Sequence, residues 1–279
     1  MASCRRDPSD ERALVDGCER EGLKVGQLDG KVVLLSGGAS DIGRTTSQLL
    51  AQEGAAVVVG DVTEDAASEV AYEVIAAGGR AIGLRCDVRD EESVSAFVDR
   101  AVAEFGGVDC VDHNAAWSHA RLDTDAVGVD LGVWQRAIET TTRGALLLAR
   151  HAIPAMATRG GGSFVTISSG TSTIGESTRV AYGVSKAALN QLTRHLAVRY
   201  GRDGIRANAI APGFILTATA AANVPDDTQR RLAEANPTRR LGTPADIGRV
   251  VVFLCSNASA YVNGQVLHVD GGHQIAGMM

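Results

Sequence analysis

Cysteine is scarce in this sequence, and no cysteine pair has the spacing of a metal site. The five cysteines are Cys4, Cys18, Cys86, Cys110 and Cys255, with no Cys-x-x-Cys pair among them. Zinc sites and disulfide frameworks depend on closely spaced or evenly paired cysteines. We therefore expect reduced thiols and no metal ion.

Long apolar runs and basic clusters are missing as well. No stretch approaches the roughly 20 apolar residues of a membrane-spanning helix. The first 27 residues are charged and lack the apolar centre of a secretion signal. A net charge of −6 without a basic cluster argues against binding to nucleic acid or to anionic membranes. We expect a cytoplasmic protein that binds neither.

The order of apolar patterns predicts one α/β domain. Strand-like runs at 32–36, 56–60, 81–86, 108–114, 163–169, 206–210 and 265–269 alternate with helical stretches at 42–53, 64–77, 91–105, 130–157, 180–202 and 244–255. Such alternation predicts a doubly wound Rossmann-type fold, with seven parallel strands and helices on both faces. We expect a polar N-terminal extension at 1–27, the domain at 28–279, and a lid at about 214–238.

A glycine-rich turn follows the first predicted strand. It runs from Ser36 to Gly43 through Gly37, Ser40, Asp41 and Ile42, and it leads into a helix. Glycines let a pyrophosphate approach the backbone, and the helix start offers free N–H groups. Because such turns also occur for purely structural reasons, the position directly after the first strand is what favours a dinucleotide.

Asp61 stands at the end of the second predicted strand, 24 residues beyond Gly37. This is close to the spacing at which a carboxylate binds the adenosine ribose hydroxyls. A carboxylate there repels a 2′-phosphate, and the following Val62 and Thr63 add no positive charge, so NAD is favoured over NADP. The alternative is that Asp61 only caps the helix that begins near Glu64.

Tyr182 and Lys186 are four residues apart within a predicted helix, so they project from one face. A chance pair is improbable because the chain has only three lysines. A phenol with an ordinary pKa near 10 is a poor base at neutral pH, and an adjacent ammonium stabilises the phenolate. Ser169, at the end of the fifth strand, could bond a substrate oxygen.

These features resemble the short-chain dehydrogenase/reductase family from about Leu28 to His273. Besides the glycine-rich turn and Tyr-x-x-x-Lys, the resemblance rests on four further segments. They are Cys86-Asp87-Val88, His113-Asn114-Ala115-Ala116, the turn at 212–217 and Asp270-Gly271-Gly272.

The resemblance implies a role for each of these residues. Tyr182 would be the general acid/base, Ser169 would orient the substrate oxygen, and Lys186 would bind the nicotinamide ribose and lower the pKa of Tyr182. The residues implied to bind NAD are Gly37, Ser40, Asp41, Ile42, Gly43, Asp61, Val62, Asp87, Val88, Asn114, Ala115, Ala116, Tyr182, Lys186, Pro212, Gly213, Ile215 and Thr217. The resemblance also implies a homotetramer.

The sequence departs from the family pattern in three segments. Asp41 replaces a glycine, and we interpret it as a capping residue at the helix start. Thr141 replaces a catalytic Asn whose main-chain carbonyl contacts a relay water in the family, and Thr retains that carbonyl. His113 and Ala116 replace an Asn and a Gly after the fourth strand.

The candidate substrate contacts are Trp117, His119, Thr171, Ile174 and Phe214. They are mainly neutral and apolar, with no clustered arginine pair among them to suggest a dicarboxylate or phosphorylated substrate, so we expect a bulky alicyclic or steroid-like secondary alcohol or its ketone. Hydride would pass directly between this small molecule and NAD. The alternatives are a catalytically weak NAD-binding sensor or structural subunit, and an epimerase or dehydratase without net cofactor reduction.

Overall fold

The computed structural model describes residues 26–119 and 121–276. Most of the predicted N-terminal extension, with Cys4 and Cys18, lies outside the described residues. Leu28 is fully buried, and its N–H donates to the carbonyl of Glu53 at 2.9 Å. The packed part of the chain therefore includes Leu28.

The sheet has seven parallel strands in the order β3-β2-β1-β4-β5-β6-β7, which confirms the predicted fold class. The strands are β1 Val32–Ser36, β2 Ala56–Asp61, β3 Arg80–Arg85, β4 Cys110–His113, β5 Gly162–Ile167, β6 Ile205–Pro212 and β7 Val266–Val269. The strand order reverses between β1 and β4. In open α/β sheets a ligand binds at this reversal, outside the carboxyl ends of the strands.

Helices cover both faces of the sheet. They are α1 Asp41–Gln52, α2 Glu64–Ala76, α3 Glu91–Phe105, α4 Leu131–Ile138, α5 Gly144–Thr158, α6 Val180–Tyr200, α7 Ala218–Asn223, α8 Asp226–Ala235 and α9 Pro244–Cys255. One core cluster unites α3, α5 and α6 with the sheet, and the other unites α1, α2 and α9. Within the described residues, none of the helices is long and apolar enough to cross a membrane.

Two segments differ from the sequence predictions. The single helix predicted at 130–157 is divided by a π-helical turn, Glu139–Arg143, between α4 and α5, and Asp130 caps α4 from outside. The segment at 217–236, to which the alternation assigned no element, contains α7 and α8. The other predicted ends fall within about two residues of the observed ones.

Asp112 is a buried carboxyl group inside the sheet. It lies in β4, is fully inaccessible to solvent, and neither carboxyl oxygen has a hydrogen-bond partner among the described residues. Burial raises its pKa to about 8, whereas an unfolded Asp titrates near 3.9. The folded state therefore holds the proton more tightly, so unfolding free energy falls as pH rises from about 4 to about 8.

Asp112→Asn should remove this pH dependence, because the amide fills similar space without ionising. We expect the difference in unfolding free energy, variant minus unsubstituted protein, to increase by up to about 1 kcal/mol for each pH unit as pH rises from 5 to 8. Urea unfolding at several pH values measures the difference. The control is Asp99→Asn at an exposed position on α3. Parallel pH profiles for all three proteins would contradict the prediction.

Candidate active site

A cleft of about 1290 Å³ opens along the carboxyl ends of the strands. Most of the predicted cofactor residues line it, namely Gly37, Ser40, Asp41, Ile42, Asp61, Val62, Asp87, Val88, Asn114, Ala115, Ala116, Pro212, Gly213, Ile215 and Thr217. Ser169, Tyr182, Lys186, Trp117 and His119 line the same cleft. Gly43, Thr141, Thr171, Ile174 and Phe214 do not border it.

The glycine-rich turn is packed too closely for side chains. Gly37 has a φ of +73°, and a Cβ there would lie 2.7 Å from the backbone nitrogen of Ala115. A Cβ at Gly43 would lie 2.3 Å from the carbonyl oxygen of Gly37. Gly43 therefore packs against the backbone of the turn on the side away from the cleft, which explains why it does not border the cleft.

Asp61 and Asn114 hold this turn from neighbouring strands. Asp61 Oδ2 accepts from the N–H of Ala39 at 3.1 Å, and Asn114 Nδ2 donates to the carbonyl of Gly37 at 2.9 Å. Asp61 does not cap α2, because its other hydrogen bond comes from the N–H of Thr63, which precedes that helix. The capping alternative for Asp61 is therefore wrong.

The Asp41 carboxylate does not bond to the N–H groups at the start of α1, contrary to what its sequence position predicts. Ser40 caps α1, with its hydroxyl accepting from the N–H of Gly43 at 3.1 Å. Asp41 is the first residue of α1, and its carboxylate accepts from the N–H of Ala218 at the start of α7. The predicted capping role of Asp41 is therefore wrong, because the carboxylate joins the glycine-rich turn to the predicted lid.

Helix α6 and strand β5 bring together the three predicted catalytic residues. Tyr182 and Lys186 lie one turn apart on α6, with the Lys186 Nζ 5.5 Å from the centre of the Tyr182 ring. Lys186 is buried, and its Nζ donates to the carbonyl of Ile167 at 2.5 Å. Ser169 follows β5, and its hydroxyl accepts from the N–H of Thr171 at 3.3 Å.

The electrostatics of this group differ from the sequence expectation. Burial raises the pKa of Tyr182, while the hydroxyl of Ser169 and the charge of Arg179 act in the opposite direction. Burial also lowers the pKa of Lys186 to about 7. The predicted lowering of the Tyr182 pKa is thus not a property of these side chains alone.

A loop that borders the cleft holds the start of α6. The backbone N–H groups of Ala181 and Tyr182 donate to the buried carboxylate of Asp123, at 2.9 and 2.8 Å. Arg179 N–H donates to the Asp123 carbonyl at 2.9 Å, and Val180 N–H donates to the Thr124 carbonyl at 3.2 Å. A helix start leaves four N–H groups unbonded, and this loop accepts hydrogen bonds from these four.

Comparisons with known proteins agree with this architecture. A family model described as enoyl-(acyl carrier protein) reductase matches residues 37–274. The cis-4-hydroxycyclohexanecarboxylate dehydrogenase of Sinomonas cyclohexanicum is 40% identical over 243 residues, which are 87% of this chain and 96% of the relative. The chain belongs to the short-chain dehydrogenase/reductase family.

Steroid dehydrogenases of this family are also similar to the chain. The 7alpha-hydroxysteroid dehydrogenase of Escherichia coli K12 is 35% identical over 246 residues, covering 88% of this chain and 95% of the relative. A 7alpha-hydroxysteroid dehydrogenase solved with NADH and 7-oxo glycochenodeoxycholic acid has a TM-score of 0.83 at 35% identity, covering 88% of this chain and 94% of that one.

Thr141 lies in the π-helical turn between α4 and α5. Its hydroxyl is buried without a partner among the described residues, and the adjacent Thr140 borders the cleft instead. The Thr141 carbonyl, in the π-helical turn, is 2.9 Å from His113 Nε2. The carbonyl that the resemblance assigns to a relay water thus accepts one hydrogen bond from His113 and keeps a second lone pair.

The hydrogen bonds of His113 define its tautomer. A carbonyl only accepts, so Nε2 carries the hydrogen, and Nδ1 accepts from the Ser36 hydroxyl at 2.9 Å. The ring is neutral, because burial and then the charge of Lys186 lower its pKa to about 3. His113 therefore connects β1, β4 and the π-helical turn.

The lining of the cleft is more basic than the sequence indicates. Four arginines from separate segments border it, namely Arg89, Arg121, Arg136 and Arg179. The expected neutral lining is therefore wrong, and sequence reasoning missed these residues because they converge only in the folded chain. The missed lining also includes Thr219, Ala220 and Asn223 from α7.

Three predicted substrate contacts lie away from the cleft. Phe214 borders a separate cavity of about 80 Å³ together with Asp270 and Gly271. Thr171 lies in the single turn Gly170–Ser172, and Ile174 is exposed nearby. The prediction that these side chains form the wall of the substrate site is not supported by their positions.

Proposed function

We propose that this protein is an NAD-dependent dehydrogenase that oxidises a bulky alicyclic or steroid-like secondary alcohol, or reduces the matching ketone. One observation carries the proposal: the Ser169, Tyr182 and Lys186 group borders the same cleft as Asp61. The first group suits proton transfer at a carbinol oxygen, and the carboxylate suits a ribose diol.

The turn after β1 fits a dinucleotide. The backbone N–H groups of Asp41 and Ile42 have no partner among the described residues, and both residues border the cleft. Unbonded N–H groups at a helix start bind phosphate oxygens. Asp61 would bind the adenosine ribose, and Asp87 and Val88 would lie beside the adenine.

The preference for NAD over NADP follows from the charges around Asp61. Its carboxylate would repel a 2′-phosphate. The nearby Arg89 forms an ion pair with Asp87, with 2.7 Å between Arg89 Nη2 and Asp87 Oδ2. Hydrogen bonding to Arg89 lowers the pKa of Asp87, so this pair stays ionised. Because it is paired with Asp87, Arg89 is not available to attract the 2′-phosphate.

The chemistry assigns one task to each polar residue. Tyr182 exchanges a proton with the substrate oxygen, Ser169 orients that oxygen, and Lys186 binds the nicotinamide ribose. Ile215 and Thr217 would hold the carboxamide. Bound NAD supplies the hydride acceptor. Because burial raises the pKa of Tyr182 although Ser169 and the charge of Arg179 oppose that rise, further stabilisation of the phenolate would come from Lys186 and the bound nicotinamide.

The substrate class rests on the size of the cleft and on the relatives. Ligand sites usually measure about 300–1,000 Å³, and about 1290 Å³ leaves room for a ring system beside a cofactor. The relatives named above act on a cyclohexane alcohol and on a steroid. Trp117 and His119, stacked with ring centres 6.2 Å apart, offer a flat wall for such rings.

The domain organisation and assembly also belong to this proposal. Residues 214–238 act as a lid, because α7 borders the cleft and is joined to Asp41. The protein is a cytoplasmic homotetramer in this proposal. Contacts between its subunits would cover apolar side chains that are exposed on α5 and α6, namely Leu146, Val184 and Val198. A tetramer would have about four times the chain mass in light scattering.

The test is NADH formation from NAD, followed by near-ultraviolet absorbance, with cyclic and steroidal secondary alcohols. We expect turnover with NAD, and kcat/KM at least about tenfold lower with NADP, because one unfavourable charge contact is worth about 1.4 kcal/mol or more. A protein that binds NADH but oxidises no alcohol of the panel would instead be the NAD-binding sensor.

A further inference from the structure

Two of the arginines that border the cleft carry charge that the protein does not neutralise. Arg89 pairs with Asp87 at 2.7 Å, and Arg179 pairs with Glu176 at 2.6 Å. By contrast, the guanidinium groups of Arg121 and Arg136 form no hydrogen bond or ion pair with any residue in the described part of the chain, and both residues are exposed at the cleft. Their guanidinium groups are therefore available to a ligand.

Three acidic residues near Arg121 and Arg136 in sequence are bonded to backbone groups, and Glu139, three residues after Arg136, accepts from the Gln135 side chain at 2.8 Å. The Asp123 carboxylate accepts from two N–H groups of α6. Asp125 accepts from the N–H of Gly128 at 2.8 Å, and Asp130 accepts from the N–H of Gly132 at 2.8 Å. All three carboxylates bond to backbone rather than to Arg121 or Arg136, so this wall of the cleft presents free donors.

One of these cations is placed beside an aromatic surface. The guanidinium carbon of Arg136 lies 5.7 Å from the centre of the Trp117 ring, and Trp117 stacks with His119. Contact with the indole face favours this position of the guanidinium. An apolar ring can therefore lie against Trp117 while an anionic substituent reaches Arg136.

We propose that Arg121 and Arg136 form an anion subsite, which recognises a carboxylate on the alicyclic alcohol at the end away from the reacting carbon. Guanidinium groups bind carboxylates through paired, charge-assisted hydrogen bonds. The inference rests on the proposed function and adds the substrate charge to it. A phosphate of the cofactor is the other anion that such arginines could bind, so the experiment has to separate the two sources.

The experiment compares 4-hydroxycyclohexanecarboxylate with its methyl ester, using NAD as oxidant. We expect kcat/KM for the acid to exceed that for the ester by about 10-fold to 100-fold, the range of one or two charge-assisted bonds. In the Arg121→Gln/Arg136→Gln double variant, the ratio of acid to ester should fall close to one. Arg80→Gln is the control for the type of substitution, because it removes one guanidinium charge at an exposed residue that does not border the cleft.

Three outcomes would overturn the anion subsite. Equal turnover of acid and ester by the unchanged protein would leave the dehydrogenase activity standing without this subsite. An unchanged acid-to-ester ratio in the double variant would show that other residues recognise the carboxylate. A raised KM for NAD with both substrates in the double variant would assign the two arginines to the cofactor phosphates.

A binding measurement keeps the subsite testable if neither alcohol is oxidised. Calorimetry with the NADH-loaded protein would compare cyclohexanecarboxylate with its methyl ester. Tighter binding of the acid, lost in the double variant and retained in Arg80→Gln, would support the subsite even though the proposed dehydrogenation had failed. Equal binding of acid and ester would overturn it.

Discussion

Replacing Tyr182 with phenylalanine is expected to lower kcat about 1,000-fold while NADH binding stays within about threefold of the unchanged protein. A positioned general acid/base contributes about 10²–10⁴-fold to a rate, and here the phenol is the group that meets the substrate oxygen. The ring that contacts Arg179 and Lys186 remains in the variant. Steady-state NADH formation and NADH fluorescence titration measure the two quantities.

Tyr200→Phe provides the matched control for this result. Tyr200 is the last residue of the same helix and lies outside the cleft. The guanidinium carbon of Arg199 is 4.9 Å from the centre of the Tyr200 ring. The control removes the same hydroxyl group from α6, so its kcat should stay within about twofold. If Tyr182→Phe kept more than about a tenth of the rate, the phenol would not be the acid/base.

Replacing Asp123 with alanine is expected to lower kcat about 10-fold to 100-fold, although Asp123 does not border the cleft. The Asp123 carboxylate accepts hydrogen bonds from the backbone of Ala181 and Tyr182, so its loss lets the start of α6 move. A misplacement of about 1 Å costs up to about 10²-fold in rate. The pH dependence of kcat should also move, since the pKa of Tyr182 depends on its burial.

Asp130→Ala separates positioning from stability in this experiment. Asp130 caps α4 through the same kind of hydrogen bonds, to Gly132 and Val133. Loss of either cap should cost about 1–2 kcal/mol of unfolding free energy in urea, but only Asp123→Ala should lower kcat and move its pH profile. Equal kcat values for the two variants would show that Asp123 has a structural role alone.

The sequence predicts those parts of the site that depend on local pattern. Alternating strand and helix patterns are enough for the sheet, because each segment carries its own period of apolar residues. The spacing of Tyr182 and Lys186 likewise places both on one helix face, since four residues make about one turn. The glycine-rich turn is found for the same reason, as its backbone requirement is visible in the residue type.

The parts that were missed depend on contacts between distant segments. Nothing in the sequence near Asp123 indicates that its carboxylate accepts from a helix about 58 residues later. The partner of Asp41 is 177 residues away. The π-helical turn leaves no apolar period of its own, because it lies between two helices of continuous amphipathic pattern. Such features require the fold before they can be recognised.

The histidine that links Ser36 to the carbonyl of Thr141 has an evolutionary consequence. The buried His113 ring accepts a hydrogen bond from the Ser36 hydroxyl and donates one to the Thr141 carbonyl. Changing Ser36 alone would leave the buried Nδ1 of His113 without a donor, and changing His113 alone would leave the buried carbonyl without one. Stranded polar groups of this kind cost about 1–3 kcal/mol each. Positions 36 and 113, whose side chains bond to each other, should therefore have diverged together as one inherited pair, whereas position 141 contributes only its main-chain carbonyl and is free to vary.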